Sequence, residues 1–280
     1  EKKVIPTYQP HEPNTLPMFI EKKAYQGATG RVYPIPYTDR LTNKPIDKIY
    51  ETLNLENEYI SVMVLPEIGG RIQIGRDKIN GYDFIYNNTV IKPAMIGLAG
   101  PWISGGIEFN WPQHHRPTTF MPVCYAFEEN ADGSKTVWVG EVEPFNRTEG
   151  IAGITVCPGK SYIKVKVRLH NRTPYPQTFM WWANLAVSVN EQYKIVFPPD
   201  VEYVCDHDRR AVISFPIMKG KFYTARQFDY GEGTDGSWFP NIVVPTSLMV
   251  MNGQSEFNFI SGYDFKKDAG IVHVANHHIS

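Results

Sequence analysis

Apolar and polar residues alternate along several short stretches of this chain, and a two-residue period of this kind is typical of β-strands. The stretch SYIKVKVRLHNRT alternates most strictly: apolar residues occupy the odd positions from Ile163 to Leu169, and Lys164, Lys166, Arg168 and His170 lie between or beside them. Its apolar face is predicted to meet a core, and its basic face to meet water or a second sheet. A second strand is predicted in EYISVMVLP, residues 58–66.

Turn signals separate these predicted strands. The paired glycines Gly69 and Gly70 after EYISVMVLP predict a bulge or a sharp bend. Asn-Gly or Asp-Gly dipeptides supply the positive φ angles that tight hairpins need, and they occur at residues 80–81, 132–133 and 252–253. No segment has a convincing helical period over three turns or more.

Many short strands with a turn every dozen residues or so predict an all-β fold, an antiparallel sandwich or barrel. The first part of the chain, residues 1–45, is rich in proline and is predicted to be an extended N-terminal arm. The remainder, residues 46–280, is predicted to form one β-supersandwich.

Charge and composition exclude several classes of function. The formal net charge is −1, so no basic field exists to collect nucleic acid or anionic lipid, and no apolar run approaches the length of a membrane span. The chain has no GxSxG motif and no phosphate-binding glycine loop, and we expect no cofactor. Three widely spaced cysteines favour reduced thiols, with one disulfide as the alternative: Cys124, Cys157 and Cys205. A cytoplasmic location is accordingly favoured over a periplasmic or secreted one, and the compartment stays open.

The stretch GPWISGGIEFNWPQHHRPTTF, residues 100–120, concentrates candidate chemistry. If it is extended at IEFNW, Glu108 and Asn110 point away from the apolar side of their strand. A carboxylate beside the imidazoles of His114 and His115 could transfer protons. Trp102 and Trp111 offer flat faces on which a sugar ring can stack, although the parity of Trp111 also places it with the core. In the alternative interpretation, Glu108 pairs with Arg116 and the histidines cap backbone groups.

Three further clusters carry polar groups. In FMWWANLAVSVN, Trp182 and Asn184 share one face of a predicted strand. In FPPDVEYVCDHDRR, Asp206, His207 and Asp208 are of metal-binding types, but their spacing matches no standard site, and a charged loop is the favoured interpretation. In IVHVANHHIS, His273 and His277 lie four residues apart, and a polar pocket rim is favoured over a metal site.

We therefore expect one concave sheet face to gather the candidate residues, with no metal. Gly105 and Gly106 have no side chains, so a ligand could approach the backbone closely there. Guanidinium groups would supply fixed donors for hydroxyls or a carboxylate. The residues expected on this face are Arg71, Trp102, Glu108, His114, His115, Arg116, Trp182 and Asn184, and the wider candidate set adds Trp111, Asp206, His207 and His277.

Two stretches resemble the galactose mutarotase-like superfamily, which includes the aldose 1-epimerases. EYISVMVLPEIGGRI followed by NGYDFIYNN is similar to the opening strands of that fold. VKVRLHNRTPYPQTFMWWANLAVSVNEQYKIVFPPDVEYV is similar to its middle, where Asn171, Trp182–Leu185 and Pro199–Tyr203 match family positions. GGIEFNWPQHHRP resembles most closely a bacterial branch that has no assigned activity and often precedes tetratricopeptide repeats. The resemblance covers the chain from about Glu58 onward and implies a galactose mutarotase-like supersandwich.

The resemblance implies a carbohydrate partner and chemistry at a sugar anomeric centre. Glu108 would take the O1 proton while His114 or His115 gives one to the ring oxygen; in a glycosidase-like version, Asp206 or Asp208 would be the second carboxylate. Epimerase motif residues are missing, because Met180 stands at a histidine position and 105–109 lacks a histidine and an arginine. The epimerase base falls beyond Ser280, which predicts C-terminal truncation. The rival hypothesis is a non-catalytic carbohydrate- or protein-binding scaffold domain ahead of a repeat array.

Overall fold

The computed structural model describes residues 1–13, 38–112, 114–207, 212–223, 227–242, 247–250 and 255–276. Contacts between Cα atoms group the chain into two compact units, Glu1–Val187 and Ser188–Ser280. All sheet pairings between strands are antiparallel in the described residues, and helical structure there is limited to two short 3₁₀ helices, Pro66–Ile68 and Phe239–Asn241. The predicted all-β, sandwich-type fold is confirmed.

The first unit is built from fourteen described strands. They are β1 (Lys2–Pro10), β2 (Leu41–Glu51), β3 (Leu53–Glu56), β4 (Ile60–Leu65), β5 (Arg71–Asp77), β6 (Asp83–Ile85), β7 (Pro93–Gly97), β8 (Gly100–Ile103), β9 (Ile107–Asn110), β10 (Cys124–Glu129), β11 (Lys135–Glu143), β12 (Thr148–Val156), β13 (Ile163–Asn171) and β14 (Trp182–Leu185).

Two of its sheets pack as a sandwich. Sheet A has the order β14-β9-β5-β4-β3, with β6 paired to β5, and sheet B has the order β10-β11-β12-β13. One hydrophobic core joins them, because apolar residues of β3, β4, β5, β6 and β9 pack with Val137, Val139, Ala152, Ile154 and Val156 of sheet B. Burying this apolar surface on both sheets is what holds the two layers together.

The opposite side of sheet A is covered in part by a second, smaller core. It contains Met63 and Leu65 of β4, Ile5 and Tyr50 of the β1–β2 pair, and Ile103 of the β7–β8 pair. Period-two alternation along β4 explains this, since Val62 and Val64 enter the sandwich core while Met63 and Leu65 enter the second core. Sheet A is therefore covered on one face by sheet B and on part of the other face by this second core.

The predicted turns lie where strands end. Gly69 and Gly70 have φ angles of 81° and 67° and form the turn between β4 and β5, after the 3₁₀ helix. The bulge itself falls two residues further on, between the pairs Val64–Ile72 and Met63–Ile74, so that Gln73 is the extra residue. Gly133 turns between β10 and β11 with a φ of 79°. The predicted turn at 252–253 lies outside the described residues.

Strand β13 differs in part from its prediction. Ile163 packs against the sandwich core, but Val165 and Leu169 remain 37% and 38% exposed. The reason is its position at the edge of sheet B, where it pairs with β12 alone among the described strands.

The second unit contains the remaining described strands, in several small sheets. They are β15 (Tyr193–Val196), β16 (Tyr203–Asp206), β17 (Val212–Ser214), β18 (Ile217–Met218), β19 (Lys221–Tyr223), β20 (Gln227–Asp229), β21 (Thr234–Asp235), β22 (Leu248–Met249), β23 (Phe259–Asp264) and β24 (Ala269–Val274). Its core includes Val201, Val204, Ile213, Phe215 and Met218.

Candidate functional site

Strand β9 sorts its side chains onto two faces of sheet A. Ile107 and Phe109 enter the sandwich core, so Glu108 and Asn110 point to the other face. The neighbouring β14 pairs with it in antiparallel register, which places Asn184 opposite Glu108 and Trp182 opposite Asn110. Directly paired residues share a face, so these four side chains form one polar and aromatic surface.

Glu108 is the most heavily bonded group on this surface. It is 3% exposed, and its Oε2 accepts hydrogen bonds from Nδ1 of His115 at 2.8 Å and from Nε1 of Trp102 at 3.2 Å. Its Oε1 accepts one from Oγ1 of Thr119 at 2.5 Å. Burial by itself raises the pKa of Glu108, but the hydrogen bond and charge of His115, with the bond from Thr119, lower it to about 2. Glu108 is therefore a carboxylate at neutral pH.

His115 is oriented by this carboxylate. Because an ionised carboxylate only accepts hydrogen bonds, Nδ1 of His115 must carry the proton, and in the neutral ring Nε2 is left as the acceptor. Nε2 has no hydrogen-bond partner within the described part of the chain. The imidazole lies edge-on between two indoles, with centroid distances of 5.5 Å to Trp102 and 4.9 Å to Trp182. A carboxylate, an oriented imidazole and two indoles thus meet in one place.

Arg71 fixes the turn that carries Glu108 into this surface. It is 2% exposed; Nη1 donates to the carbonyl of Ile103 at 2.8 Å, and Nη2 donates to the carbonyl of Gly105. Burial lowers its pKa to about 10, against the opposing effect of the Glu108 charge. Both terminal nitrogens bind backbone, and Nε is buried without a hydrogen-bond partner in the described residues. Arg71 therefore holds the β8–β9 connection.

Arg116 and Trp111 lie in the interior. Arg116 is 1% exposed; its guanidinium lies 4.4 Å above the Trp111 ring, its Nη2 donates to the carbonyl of Gly69 at 2.6 Å, and its Nε lies 3.3 Å from Oε1 of Glu141. Burial lowers the pKa of Arg116, while Glu141 and Glu108 oppose that shift. Trp111 is 1% exposed and belongs to the sandwich core. The charge partner of Arg116 is Glu141, and that of Glu108 is His115.

Several polar atoms near Glu108 have no partner among the described residues. Nε1 of Trp182 and Oε1 of Gln73 are buried without a hydrogen bond; Nδ2 of Asn110 meets no strict hydrogen-bond geometry, although the Asn110 side chain helps to lower the pKa of Glu108. Buried polar atoms in folded proteins are nearly always hydrogen-bonded, so a group of exceptions around one carboxylate marks this surface as unusual. The side chain of Asn184 is half-buried and makes no hydrogen bond to any described residue.

Two residues of this region were missed by sequence reasoning. Thr119 binds Glu108, and Gln73 donates from Nε2 to the carbonyl of Asn88 at 3.0 Å. Thr119 belongs to the same RPTTF run that drew attention to the region, but nothing in its type or spacing singles it out. Gln73 is placed by the bulge in β5, and a bulge position cannot be read from alternation.

Of the remaining candidates, His114 lies beside His115 and the others fall elsewhere. His114 has a φ of 54° and its ring centroid lies 5.3 Å from that of His115. Asp206 is fully buried on β16 and His207 follows it, and both belong to the second unit. Asp208 and His277 lie outside the described residues.

Metal-binding clusters and membrane-spanning helices are both absent from the described residues. These residues contain no group of three His, Cys, Asp or Glu side chains placed to hold a metal ion. They also contain no helix long and apolar enough to cross a membrane. The three cysteines are free thiols in the structure.

Two solved structures are similar to this chain. A TPR-domain containing protein from Parabacteroides distasonis ATCC 8503 matches 99% of the chain with a TM-score of 0.78 and 21% identity, and the chain covers 43% of that protein. The Slr1438 protein from Synechocystis sp. PCC 6803 matches 80% of the chain with a TM-score of 0.51 and 12% identity, over 76% of its own length. At these identities the likeness shows a shared fold.

The chain therefore spans less than half the length of the Parabacteroides protein whose fold it shares. A family model, described as a domain of unknown function, DUF5107, matches residues 28–278. Since this match includes most of the chain, the protein belongs to the DUF5107 family.

Proposed function

We propose that the surface around Glu108 and His115 binds a carbohydrate and that His115 transfers a proton at the sugar's anomeric centre. The observation that carries the proposal is the 2.8 Å hydrogen bond between Glu108 and Nδ1 of His115, set between the indoles of Trp102 and Trp182. Indole faces bind the apolar side of sugar rings, and polar groups beside them suit hydroxyls. The sequence resemblance to galactose mutarotase-like proteins supports the same substrate class.

In this proposal the two groups of the pair have different roles. A carboxyl group with a pKa of about 2 that already accepts three hydrogen bonds is a weak base and a poor acid at neutral pH. Glu108 is therefore the group that orients His115 and stabilises its protonated form. Nε2 of His115 takes the proton from the anomeric hydroxyl as the bond between C1 and the ring oxygen breaks, and the imidazolium so formed returns that proton to the ring oxygen, which gives the open-chain aldehyde. After rotation about C1, the reverse proton transfers close the ring to the other anomer.

A glycosidase-like reaction has less support. It needs a second carboxyl group about 5–10 Å from the first across the scissile bond. The carboxylates considered for that role are Asp206, which belongs to the second unit, and Asp208, which lies outside the described residues. Epimerisation needs proton transfer alone, and the Glu108–His115 pair suits it.

The test is exchange NMR between sugar anomers, run on a panel of freshly dissolved mono- and oligosaccharides. We expect the wild-type protein to accelerate exchange for at least one sugar, and His115→Gln to slow it by about 10²-fold or more, the usual contribution of a general acid–base group. His170→Gln is the matched control, because His170 also contacts a glutamate, Glu149, at 3.3 Å but on an exposed surface. If anomers exchange at the uncatalysed rate for every sugar in the presence of the wild-type protein, the catalytic part of the proposal is refuted.

A non-catalytic binding domain is the second candidate. The observation that favours it is the Parabacteroides neighbour, a TPR-domain containing protein of which this chain covers 43%, since repeats of that kind suit a domain that presents a ligand or partner. Calorimetry separates the two functions. Sugar binding that is unchanged in Glu108→Gln, without anomeric exchange in the wild type, would support the scaffold and exclude the enzyme.

A further inference from the structure

Among the described strands, β10 and β13 at the two edges of sheet B each have one partner. All six residues of β10 are exposed, and β13 has six exposed and three half-buried residues. Each strand pairs with one neighbour, and in the described residues no other backbone hydrogen bond reaches either strand. Exposed edges of this length are ready templates for another strand.

Both edges carry uncovered apolar side chains on the core side of the sheet. Tyr125 and Phe127 of β10 pair with Val139 and Val137 of the core and are themselves 41% and 62% exposed. On the other edge, Val165 lies opposite the buried Ile154 and is 37% exposed. At each edge, therefore, the apolar face of sheet B continues past the residues that cover it in the sandwich core.

The opposite face carries charges of different sign at the two edges. Cross-strand pairing places Glu128 of β10 in one row with Thr136, Thr155 and Lys164. Glu128 is thus on the same face as the basic residues of β13, Lys164, Lys166 and Arg168. One edge presents a carboxylate where the other presents a line of cations.

We infer that the β10 edge of one copy of this chain pairs with the β13 edge of a second copy. The strand order of sheet B is antiparallel throughout, so β10 and β13 run in opposite directions. If a second copy is translated within the plane of the sheet, its β10 lies antiparallel to β13 of the first copy. The core faces of the two sheets then point to the same side. Tyr125 and Phe127 then meet Val165 and its neighbours, and Glu128 meets Lys164 or Lys166.

Charge disfavours the two symmetric alternatives. With full overlap, pairing β13 with β13 would set Lys166 of each copy against Arg168 of the other, and pairing β10 with β10 would set Glu128 against Ala126 and give the carboxylate no cation. Like charges directly across a strand pair are destabilising. The contact is therefore head-to-tail, and such a contact leaves one free edge of each kind for the next copy.

Cys124 allows a direct test, since it is an exposed free thiol on β10. It faces Arg168 if Glu128 faces Lys164, and His170 if Glu128 faces Lys166. In a Cys205→Ser background, mild oxidation should link Arg168→Cys or His170→Cys into a ladder of dimers and higher species. Leu169→Cys is the control, because residue 169 points to the opposite face and should remain unlinked. The inference would be overturned if all three variants were linked equally, or if none of them were linked.

A charge swap gives an independent readout that does not depend on cysteines. By sedimentation over a concentration series, Glu128→Lys and the double variant Lys164→Glu/Lys166→Glu should each raise the dissociation constant at least tenfold. Mixing the two should restore association to within about threefold of wild type, since each supplies the edge that the other has lost. Circular dichroism confirms that each variant is folded. A wild type that stays monomeric at millimolar concentration, or a mixture no tighter than its components, would contradict edge pairing.

Discussion

At the scale of single residues, the main cost on the candidate surface is the burial of an ionised carboxylate. Glu108 is 3% exposed, and an isolated buried charge is strongly unfavourable. Donors from His115, Thr119 and Trp102 offset that cost. The same donors keep Glu108 charged to low pH, so its contribution to stability depends on pH in a way that can be measured.

We predict that Glu108→Gln removes a pH-dependent part of the stability. The pKa of Glu108 is about 2 in the folded protein against an ordinary value of 4.5, so its ionisation stabilises the fold above about pH 4.5, and that stabilisation is lost as the pH falls toward 2. The shift corresponds to about 3 kcal/mol. Urea unfolding at pH 6 and pH 3 should show a larger wild-type advantage at pH 6.

The control for this prediction is Glu149→Gln, which removes a glutamate that also contacts a histidine but is far more exposed. The difference in the free energy of unfolding between Glu149→Gln and wild type should change little between pH 6 and pH 3. A wild-type advantage over Glu108→Gln that does not shrink on acidification would show that the carboxylate is not held ionised by its neighbours.

Gly106 gives a second prediction at this scale. Its φ is 67°, and a Cβ there would lie 2.3 Å from the carbonyl oxygen of Ile72 and 3.3 Å from Nε of Arg71. Gly81 is the matched control, with a φ of 74° and open space around its Cβ position. Gly81→Ala should cost about 1 kcal/mol from backbone strain alone. Gly106→Ala should cost at least twice as much in urea unfolding; equal costs would mean that the backbone around Gly106 shifts freely.

At the scale of elements, cover by the opposing sheet decides which strand residues stabilise the sandwich. Ile154 on β12 and Val165 on β13 are cross-strand partners on the same face of sheet B. Ile154 is 0% exposed, whereas Val165 is 37% exposed because β13 is the edge strand and the core covers it only in part. These two apolar residues therefore contribute unequally to the stability of the sandwich.

We predict that Ile154→Ala lowers the free energy of unfolding by about 2–5 kcal/mol, the range found for large apolar residues truncated in a core. Val165→Ala should cost less than about 1 kcal/mol, since its side chain is already in contact with water. Denaturant unfolding at low protein concentration, where copies do not associate, measures both. Comparable losses for the two variants would mean that β13 is covered in solution.

At the scale of the whole molecule, the three thiols report on different parts of the fold. Cys124 is exposed, Cys205 is half-buried, and Cys157 is buried with 9% exposure. A thiol reagent should label Cys124 at once in the native protein, and Cys157 should react at the rate of unfolding of its surroundings. Mass spectrometry after timed labelling distinguishes the sites; fast labelling of Cys157 under native conditions would contradict the packing of the first unit.

The alternation of apolar and polar residues was sufficient to predict strands that pair in a regular sheet. EYISVMVLP became β4 and IKVKVRLHN became β13, and Gly81 and Gly133 adopt the positive φ angles predicted for them. Parity also placed Glu108 and Asn110 away from the core side of β9. These features depend on local geometry, which adjacent residues determine by themselves.

The sequence by itself thus determined the all-β class, many of the turns, and the faces of Glu108 and Trp182. Tertiary structure alone decided that β14 pairs with β9, and this pairing brings residues distant in sequence to His115. It also decided that Arg71 and Arg116 use their donors on backbone carbonyls. The physical reason is that residue type fixes what a group can bond, whereas burial and register fix which partner it meets.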